Sequence, residues 1–251
     1  MAILELKNIK RTYKTKCVVT EVLKGIDFSV EAGEFVAIMG ESGAGKTTLL
    51  NVIATFDKPT SGSVILNGKE ISTLKNSEIS TFRRNKLGFV FQSFNLLDQF
   101  NNRDNIYLPL VLSNQKPQLM QERLDQIKDQ LGISKLLNKY PYEISGGQKQ
   151  RVAIARAIIT KPDLVLADEP TGSLDSTSSE IILNMFAKIN QAGQTIMMVT
   201  HSLRAASFAK RILFIKDGIV YHEIYRSQAE SQSEFMERIS QAQFMLKRGE
   251  Q

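Results

Sequence analysis

The 251-residue sequence contains a single cysteine, Cys17, and no apolar run that approaches the roughly 18 residues a membrane span requires. One cysteine excludes an internal disulfide framework and fits a reducing compartment. The first residues, MAILELKNIKRTYK, carry no apolar segment after their first charges, so the pattern predicts no secretory signal. We therefore expect a cytoplasmic protein that neither enters nor crosses a bilayer by itself.

The sequence also lacks internal repeats, low-complexity segments and concentrated charge. The 32 Lys and Arg residues exceed the 26 Asp and Glu residues, which gives a net charge of +6. The basic residues are spread over segments such as RTYKTK, FRRNK and LKRGE, and this favours a solvated surface over a nucleic-acid interface. With 42% hydrophobic and 23% charged residues, the composition predicts one folded globular unit.

Four short apolar runs have the length and the β-branched or aromatic content of buried strands, at residues 35–39, 89–91, 164–167 and 195–200. Apolar residues at helical spacing lie between them, over residues 120–131 and 181–189, the second stripe ending before Gly193. Buried strands that alternate with amphipathic helices predict an α/β fold with a mainly parallel core sheet.

Polar residues or glycine follow each of these four runs, namely Gly40, Gln92, Asp168 with Glu169, and His201. In open α/β sheets, ligands bind outside the carboxyl ends of the strands. The sequence therefore predicts that these strand ends converge on one site.

Other segments predict a second layer of structure. Alternating residues at 4–9, 22–30 and 63–68 predict an antiparallel β subdomain, and residues 213–224 predict a hairpin that turns at Asp217 and Gly218. Residues from about 93 to 160 are mostly helical in pattern, which indicates an inserted helical subdomain. Near the end of the chain, Ser231 and Glu234 have the spacing of a capping box for a short helix, for which packing on its own domain is favoured over contact with a partner.

The segment GESGAGKT matches G-x-x-x-x-G-K-S/T directly after a predicted strand and before an apolar helix. In such a loop the backbone amides surround phosphate oxygens, Lys46 reaches the outer phosphates and Thr47 places its hydroxyl on Mg²⁺. The predicted nucleotide-contacting residues are Gly40, Glu41, Ser42, Gly43, Ala44, Gly45, Lys46, Thr47 and Thr48.

The segment LVLADEP supplies the acidic partner of this phosphate loop. Asp168 is suited to hold Mg²⁺ through its water shell, and Glu169 is suited to polarise an attacking water. An Asn-Lys-x-Asp guanine-binding motif is missing from the sequence, which disfavours a GTPase.

A second anion-binding pattern lies at ISGGQKQR. Ser145, Gly146 and Gly147 precede a helix predicted to begin near Gln148, and the first four amides of a helix have no partner within it. The segment has no lysine placed like Lys46 and no acidic strand of its own. It therefore predicts half of a nucleotide site.

These motifs, in this order, resemble the ATP-binding cassette (ABC) family, the ATPase subunits of ABC transporters, over nearly the whole chain. Residues 144–148 are similar to the signature loop of the family and residues 172–175 to its D-loop. Gln92 resembles the Q-loop glutamine, His201 the switch histidine and Tyr13 the aromatic residue that stacks on adenine. Ser173 departs from the asparagine common in the nearest group.

The resemblance implies that ATP and Mg²⁺ bind between two head-to-tail cassettes, expected to be a homodimer. Ser145, Gly146, Gly147 and Gln148 of one copy would cover the γ-phosphate held by the other. Lys46 would then neutralise phosphate charge, Thr47, Gln92 and Asp168 would hold Mg²⁺, Glu169 would activate water and His201 would sense the γ-phosphate.

The resemblance also implies a cassette over residues 1–225, with its helical subdomain at about 93–160 and a helical extension over 226–251. A separate transmembrane permease is the implied partner, at the cytoplasmic face of the membrane. Residues 56–62 and 90–110 are similar to lipoprotein-releasing and macrolide-exporting ATPases, and the tail from Tyr221 is similar to the bacitracin and lantibiotic resistance type.

One alternative function remains open from the sequence, and a second is disfavoured. A regulatory cassette of the cell-division type would use the same ATP cycle to signal through a membrane partner without transport. A nucleic-acid-binding cassette would need a long coiled coil between Gln92 and Ser145, or two cassettes in one chain, so no nucleic-acid partner is expected.

Overall fold

In a computed structural model that describes residues 2–15 and 18–248, the chain forms two compact units. The first unit comprises the residues up to 74 and those from 190 onward, and the second comprises residues 75–189. Cys17, on which the prediction of a reducing compartment depends, lies outside the described residues. The domain boundaries predicted at residues 93, 160 and 225 stay predictions.

In chain order the strands are β1 (Ala2–Lys14), β2 (Val19–Glu31), β3 (Phe35–Gly40), β4 (Ser61–Leu66), β5 (Lys69–Glu70), β6 (Leu87–Phe91), β7 (Leu164–Asp168), β8 (Ile196–Val199), β9 (Arg211–Lys216) and β10 (Ile219–Tyr225). The α-helices are α1 (Lys46–Ile53), α2 (Asn76–Lys86), α3 (Asn102–Val111), α4 (Pro117–Ile127), α5 (Gly146–Ile158), α6 (Ser176–Gln191), α7 (Leu203–Ala206) and α8 (Gln232–Arg248). Short 3₁₀ turns lie at Ser134–Leu136 and Pro141–Glu143.

The first unit contains an antiparallel sheet in the order β2-β1-β4-β5, as the alternating N-terminal segments predict. Leu4 and Leu6 of β1 are buried at the period of a strand, and the next buried residue is Ile9. A bulge between Leu6 and Ile9 accounts for the three-residue step. Asn8 within it has a positive φ of 48°.

The first unit also contains β3 between β8 and β9, with both neighbours parallel to it. The apolar residues of β3 and β8 are buried, because strands covered on both faces need apolar side chains at every position. β9 continues into β10 as an antiparallel hairpin. Asp217 and Gly218 have φ values of 49° and 80°, as a tight two-residue hairpin turn requires, so the predicted turn is confirmed.

The second unit pairs β6 with β7 in parallel, from Leu87 opposite Leu164 to Phe91 opposite Asp168. The helices α3, α4 and α5 lie within the segment predicted to be helical. The predicted stripe over residues 120–131 is too long, because α4 ends at Ile127. Gly132 turns with φ 59°, and the amide of Ile133 donates to the carbonyl of Lys128 in a helix-ending bond.

The helix α8 begins as the sequence predicts. The Ser231 hydroxyl accepts from the amide of Glu234 at 3.3 Å, and the Glu234 carboxylate accepts from the amide of Ser231 at 2.8 Å. The helix is longer than expected, since it spans 17 residues. Phe235 and Ile239 are fully buried, which agrees with packing on its own unit.

Within the described part of the chain, no helix combines the length and the apolar character needed to cross a membrane.

Candidate functional site

The phosphate loop lies in the first unit, where residues 41–45 connect β3 to α1. Gly45 is the N-cap of α1 with φ 101°, and it has no side chain with which to cap the first amides of the helix. Those amides and the helix dipole favour an external anion. The ammonium of Lys46 donates to the carbonyls of Gly40 at 2.9 Å and Glu41 at 2.7 Å, which holds its charge at the loop. Thr47, the second residue of α1, is exposed.

The turn of the β9–β10 hairpin supports this loop. The amide of Gly218 donates to the carbonyl of Ala44 at 3.2 Å, and the carbonyl of Gly218 accepts from the amide of Lys24 at 2.9 Å. A Cβ at Gly218 would overlap the carbonyl of Val22. Glycine at this turn therefore permits the hairpin to lie close to Val22 of β2, and its bond to Ala44 supports the phosphate loop.

His201 lies at the same edge of the sheet as the phosphate loop. In the parallel pair of β3 and β8, Ile38 is opposite Val199, and the amide of Thr200 donates to the carbonyl of Ile38 at 3.0 Å. Gly40 lies two residues after Ile38, and His201 lies two residues after Val199, so both leave the sheet at the same edge. His201 is exposed, as a side chain that contacts a ligand would need to be.

Tyr13 lies near the end of β1 and is 39% exposed. Its hydroxyl donates to Asp57 Oδ2 at 2.6 Å. Asp57 follows the C-terminal end of α1, the helix that begins at the phosphate loop. Tyr13 is thus fixed at its hydroxyl end, while part of its ring stays accessible.

In the second unit, the register of β6 and β7 places Gln92 and Glu169 at adjacent strand ends, because Phe91 is opposite Asp168. The backbone carbonyl of Gln92 accepts from the hydroxyl of Ser173 at 2.9 Å. A Cβ at Gly172 would come within 2.8 Å of Gln92 Nε2, so a larger residue there would displace the Gln92 side chain. The structure thereby brings together the Q-loop, the acidic strand end and the D-loop.

Glu169 has a left-handed backbone conformation, with φ 46°. For a residue with a Cβ this conformation costs on the order of 1–3 kcal/mol, and such outliers concentrate at active sites. The amide of Gly172 donates to the Glu169 carbonyl at 3.0 Å, which closes a turn around it. Glu169 is half-buried and follows a strand whose apolar residues are buried.

The helix at the predicted second anion site begins two residues earlier than expected, because α5 starts at Gly146. Ser145 is its N-cap. The Ser145 hydroxyl accepts from the amide of Gln148 at 3.4 Å, and Gln148 Oε1 accepts from the amide of Ser145 at 3.0 Å. One of the four amides assumed to be unsatisfied is therefore capped internally. The hydroxyl hydrogen of the exposed Ser145 is still able to donate to an anion.

Gln150, which sequence reasoning missed, is fully buried in the same helix. Its side-chain amide donates to the carbonyl of Phe91 at 3.2 Å and to that of Pro170. These carbonyls belong to the residues directly before Gln92 and directly after Glu169. The sequence feature that could have identified Gln150 is its position one helical turn before Ile154, as a polar residue on an otherwise apolar helix face.

Arg156 connects the same helix to the loop after Gln92. Its guanidinium donates to the carbonyl of Phe94 at 2.9 Å and to that of Asn95. Phe94 and Asn95 have positive φ values of 63° and 50°. Burial lowers the pKa of the Arg156 guanidinium. This cation therefore helps to hold two residues in a conformation that they would otherwise avoid.

The predicted metal ligands fit Mg²⁺ by their chemistry. Thr47, Gln92 and Asp168 offer a hydroxyl, an amide and a carboxylate oxygen, the hard donors that Mg²⁺ prefers. Among the described residues, no three His, Cys, Asp or Glu side chains cluster as a metal site. A nucleotide-bound Mg²⁺ takes most ligands from phosphate and water, so one or two protein oxygens suffice.

The structure therefore brings together the phosphate loop and His201 in one unit, and Gln92, Asp168, Glu169 and the start of α5 in the other. That both sets act on the same nucleotide stays a prediction.

Comparison with known proteins identifies close relatives. The family model described as ABC transporter matches residues 23–172. The chain is 50% identical to the ABC transporter ATP-binding protein YxdL of Bacillus subtilis, over 97% of this chain and 94% of that protein. It is 47% identical to the bacitracin export ATP-binding protein BceA of Halalkalibacterium halodurans, over 98% and 97%. A dimeric, post-hydrolysis structure of the cassette MJ0796 from Methanocaldococcus jannaschii, bound to ADP and Pi, matches with a TM-score of 0.81 at 39% identity, covering 89% of this chain and 99% of that one.

Proposed function

The chain belongs to the ABC transporter family as an ATP-binding subunit that hydrolyses ATP to ADP and phosphate, and we propose that two copies pair around ATP to drive a separate membrane permease. Subunits of this family dimerise and work with membrane permeases. That this chain pairs with itself is part of the proposal.

The proposed roles follow the chemistry of each side chain. Lys46 neutralises the outer phosphates, and Thr47, Gln92 and Asp168 supply the oxygens for Mg²⁺. Bound Mg²⁺ would offset the negative charge that develops on the phosphates. Glu169 accepts a proton from the attacking water as a general base. The exposed His201 contacts the γ-phosphate beside the loop that starts at Gly40.

The start of α5 is the observation that carries the pairing. Ser145 at this helix start is exposed, and the first turn of the helix holds no acidic residue. An anion gains about 0.3–2 kcal/mol from a helix dipole and about 1–3 kcal/mol from each charge-assisted bond, and the association cost of at least about 4 kcal/mol offsets most of this gain. The segment therefore binds a triphosphate well only when a second copy already holds it. ATP then joins the copies, and hydrolysis releases them.

Exposed apolar residues next to α3 are candidates for the permease contact. Leu97 and Phe100 lie before this helix and are 39% and 42% exposed, while Val111 and Leu112 at its end are 51% and 56% exposed. Asn105 fixes the preceding loop, because its side-chain amide donates to the carbonyls of Leu97 and Phe100. We place this surface at the cytoplasmic face of the membrane, against the permease.

The proposed process is export of, or resistance to, antimicrobial peptides of the bacitracin and lantibiotic kind. The likeness to BceA over 98% of this chain supports it. The chain is also 43% identical to the lipoprotein-releasing ATPase LolD of Aquifex aeolicus, so the substrate needs a direct assay. Deletion of the chain should sensitise cells to such peptides, and the permease should co-purify with it. Co-purification without any change in resistance would favour the regulatory alternative.

A mixing experiment tests the shared sites. We expect Lys46→Ala and Ser145→Arg copies to be inactive as separate proteins, since each breaks one side of both sites. Mixed in equal amounts, half of the dimers would contain one undamaged site, which restores about a quarter of the native ATPase rate. Putting both changes in one chain and mixing it with native protein provides the stoichiometric control. Mixed single variants that stay inactive would contradict a site built from two copies.

A further inference from the structure

Arg11 and Asp57 form a clamp that holds the Tyr13 side chain. In addition to the hydroxyl bond to Asp57, the guanidinium of Arg11 lies over the Tyr13 ring, 4.4 Å from its centroid. The same guanidinium pairs with both oxygens of Asp57, from Nε to Oδ2 at 2.8 Å and from Nη2 to Oδ1 at 2.7 Å. The three side chains therefore fix one another, and the ring can be neither tilted nor withdrawn without breaking a charge-assisted bond.

The backbone beneath this clamp is tied to α1. The amides of Phe56 and Asp57 donate to the carbonyl of Asn51, in the last turn of the helix, at 2.9 Å and 3.1 Å. The amide of Thr60 donates to the carbonyl of Lys10 at 2.7 Å, which joins the segment leaving α1 to the strand that carries Tyr13.

A second bond repeats this connection, since the amide of Thr12 donates to the Thr60 hydroxyl at 2.9 Å. Helix α1 has 8 residues, so its length is about 12 Å. Its first turn carries Lys46 and Thr47, and its exit segment carries the carboxylate that holds Tyr13. One rigid element thus connects the phosphate loop to the aromatic ring.

We infer that Asp57 and Arg11 are positioning residues that hold Tyr13 as a platform for the purine base of the bound nucleoside triphosphate. The inference rests on the proposed function, in which Tyr13 meets the base. The Arg11 cation covers one ring face, which leaves the opposite face for stacking. A ring fixed in advance loses less rotamer entropy when the base arrives, and the binding of the base is strengthened accordingly.

The test compares ATP with inorganic triphosphate, which has the phosphates and no base, as competitors for a fluorescent nucleotide. Asp57→Ala should weaken ATP binding about three- to tenfold, because a ring that is no longer held has to be immobilised when the base arrives. Its affinity for inorganic triphosphate should stay native. Asp57→Asn keeps an acceptor for the Tyr13 hydroxyl and loses the charge, so ATP binding should be intermediate.

Tyr13→Phe removes only the hydroxyl and should give a smaller loss for ATP, with no further loss when it is combined with Asp57→Ala. Asp163→Asn is the matched control. Asp163 also pairs with a basic side chain, Lys86, and precedes β7 in the second unit, so both affinities should stay native.

Equal weakening of ATP and inorganic triphosphate by Asp57→Ala would overturn the inference, because the carboxylate would then support the helix and not the base. Native ATP affinity in Asp57→Ala would overturn it as well. Failure of the proposed function would give different results from failure of this inference. If the phosphate loop did not bind the nucleotide, Lys46→Ala would keep its affinity for both competitors. If Tyr13 did not contact the base, Tyr13→Ala would bind ATP as tightly as native protein.

Discussion

Replacing Gln150 by methionine should slow ATP hydrolysis while leaving the fold nearly as stable as before. Methionine has similar length and no donor, so both bonds from the side-chain amide are lost. The Phe91 carbonyl keeps a second partner, the amide of Phe94 at 3.2 Å, and loses only an ordinary bond of about 0.5–1.5 kcal/mol. The Pro170 carbonyl loses a hydrogen bond in a buried environment, which costs about 1–3 kcal/mol of stability.

Removal of the Gln150 side-chain oxygen offsets part of this loss of stability. Gln150 Oε1 is buried and has no hydrogen-bond partner, so removing it returns about 1–3 kcal/mol. The net loss is about 1 kcal/mol, or a decrease of about 2–4 °C in Tm for a chain of this size. Thermal unfolding by circular dichroism measures it. Gln150→Glu should lower Tm more, because a buried carboxylate would face the carbonyl oxygens of Phe91 and Pro170.

Catalysis should respond more strongly than stability. Gln150 connects the residues next to Gln92 and Glu169, and a displacement of about 1 Å at a reacting group costs up to about a hundredfold in rate. We expect kcat of Gln150→Met to fall at least about tenfold, with ATP affinity within about threefold of native because the phosphate loop lies in the other unit. Gln130→Met, at an exposed glutamine of the same unit, is the control. A native kcat in Gln150→Met, or parallel losses of kcat and affinity with a large fall in Tm, would refute the reasoning.

Two further predictions concern the acidic strand end and the D-loop. Glu169→Gln should bind ATP at native affinity and hydrolyse it at least about a hundredfold more slowly, and light scattering should show a stable dimer with ATP and Mg²⁺. The control variant Glu122→Gln, on α4, should behave as native protein. A native hydrolysis rate in Glu169→Gln would refute the general-base assignment. The Asp175 carboxylate accepts from the Ser178 hydroxyl and from its amide at 2.8 Å, which lowers the pKa of Asp175. Because this pKa is depressed in the folded state, its stabilisation is present above the ordinary aspartate pKa of about 3.9 and is lost as the pH falls through the folded value. Asp175→Ala should therefore have a lower Tm than native protein at neutral pH, and the difference should shrink below about pH 3.9; an equal difference at all pH values would point to packing alone.

The sequence alone predicted the features that depend on short-range chemistry. The order Gly45, Lys46, Thr47 after a buried run specifies a phosphate loop at a helix start, since amides, ammonium and hydroxyl are all local to it. The strand runs, the antiparallel segments and the hairpin turn at Asp217 and Gly218 also follow from local periodicity and turn preference. The family resemblance carried by these motifs is confirmed.

Features that join distant parts of the chain were decided by tertiary structure. The glutamine that connects Phe91 to Pro170 and the carboxylate of Asp57 that holds Tyr13, 44 residues away, show no local pattern. Their partners are fixed by strand register and by the path of the chain after α1, and a one-residue slip in either would exchange the groups that meet. The apolar stripe over residues 181–189 gives another case, since Ile181 belongs to it and is 51% exposed. Periodicity identifies a helix face, whereas burial depends on which neighbours that face meets.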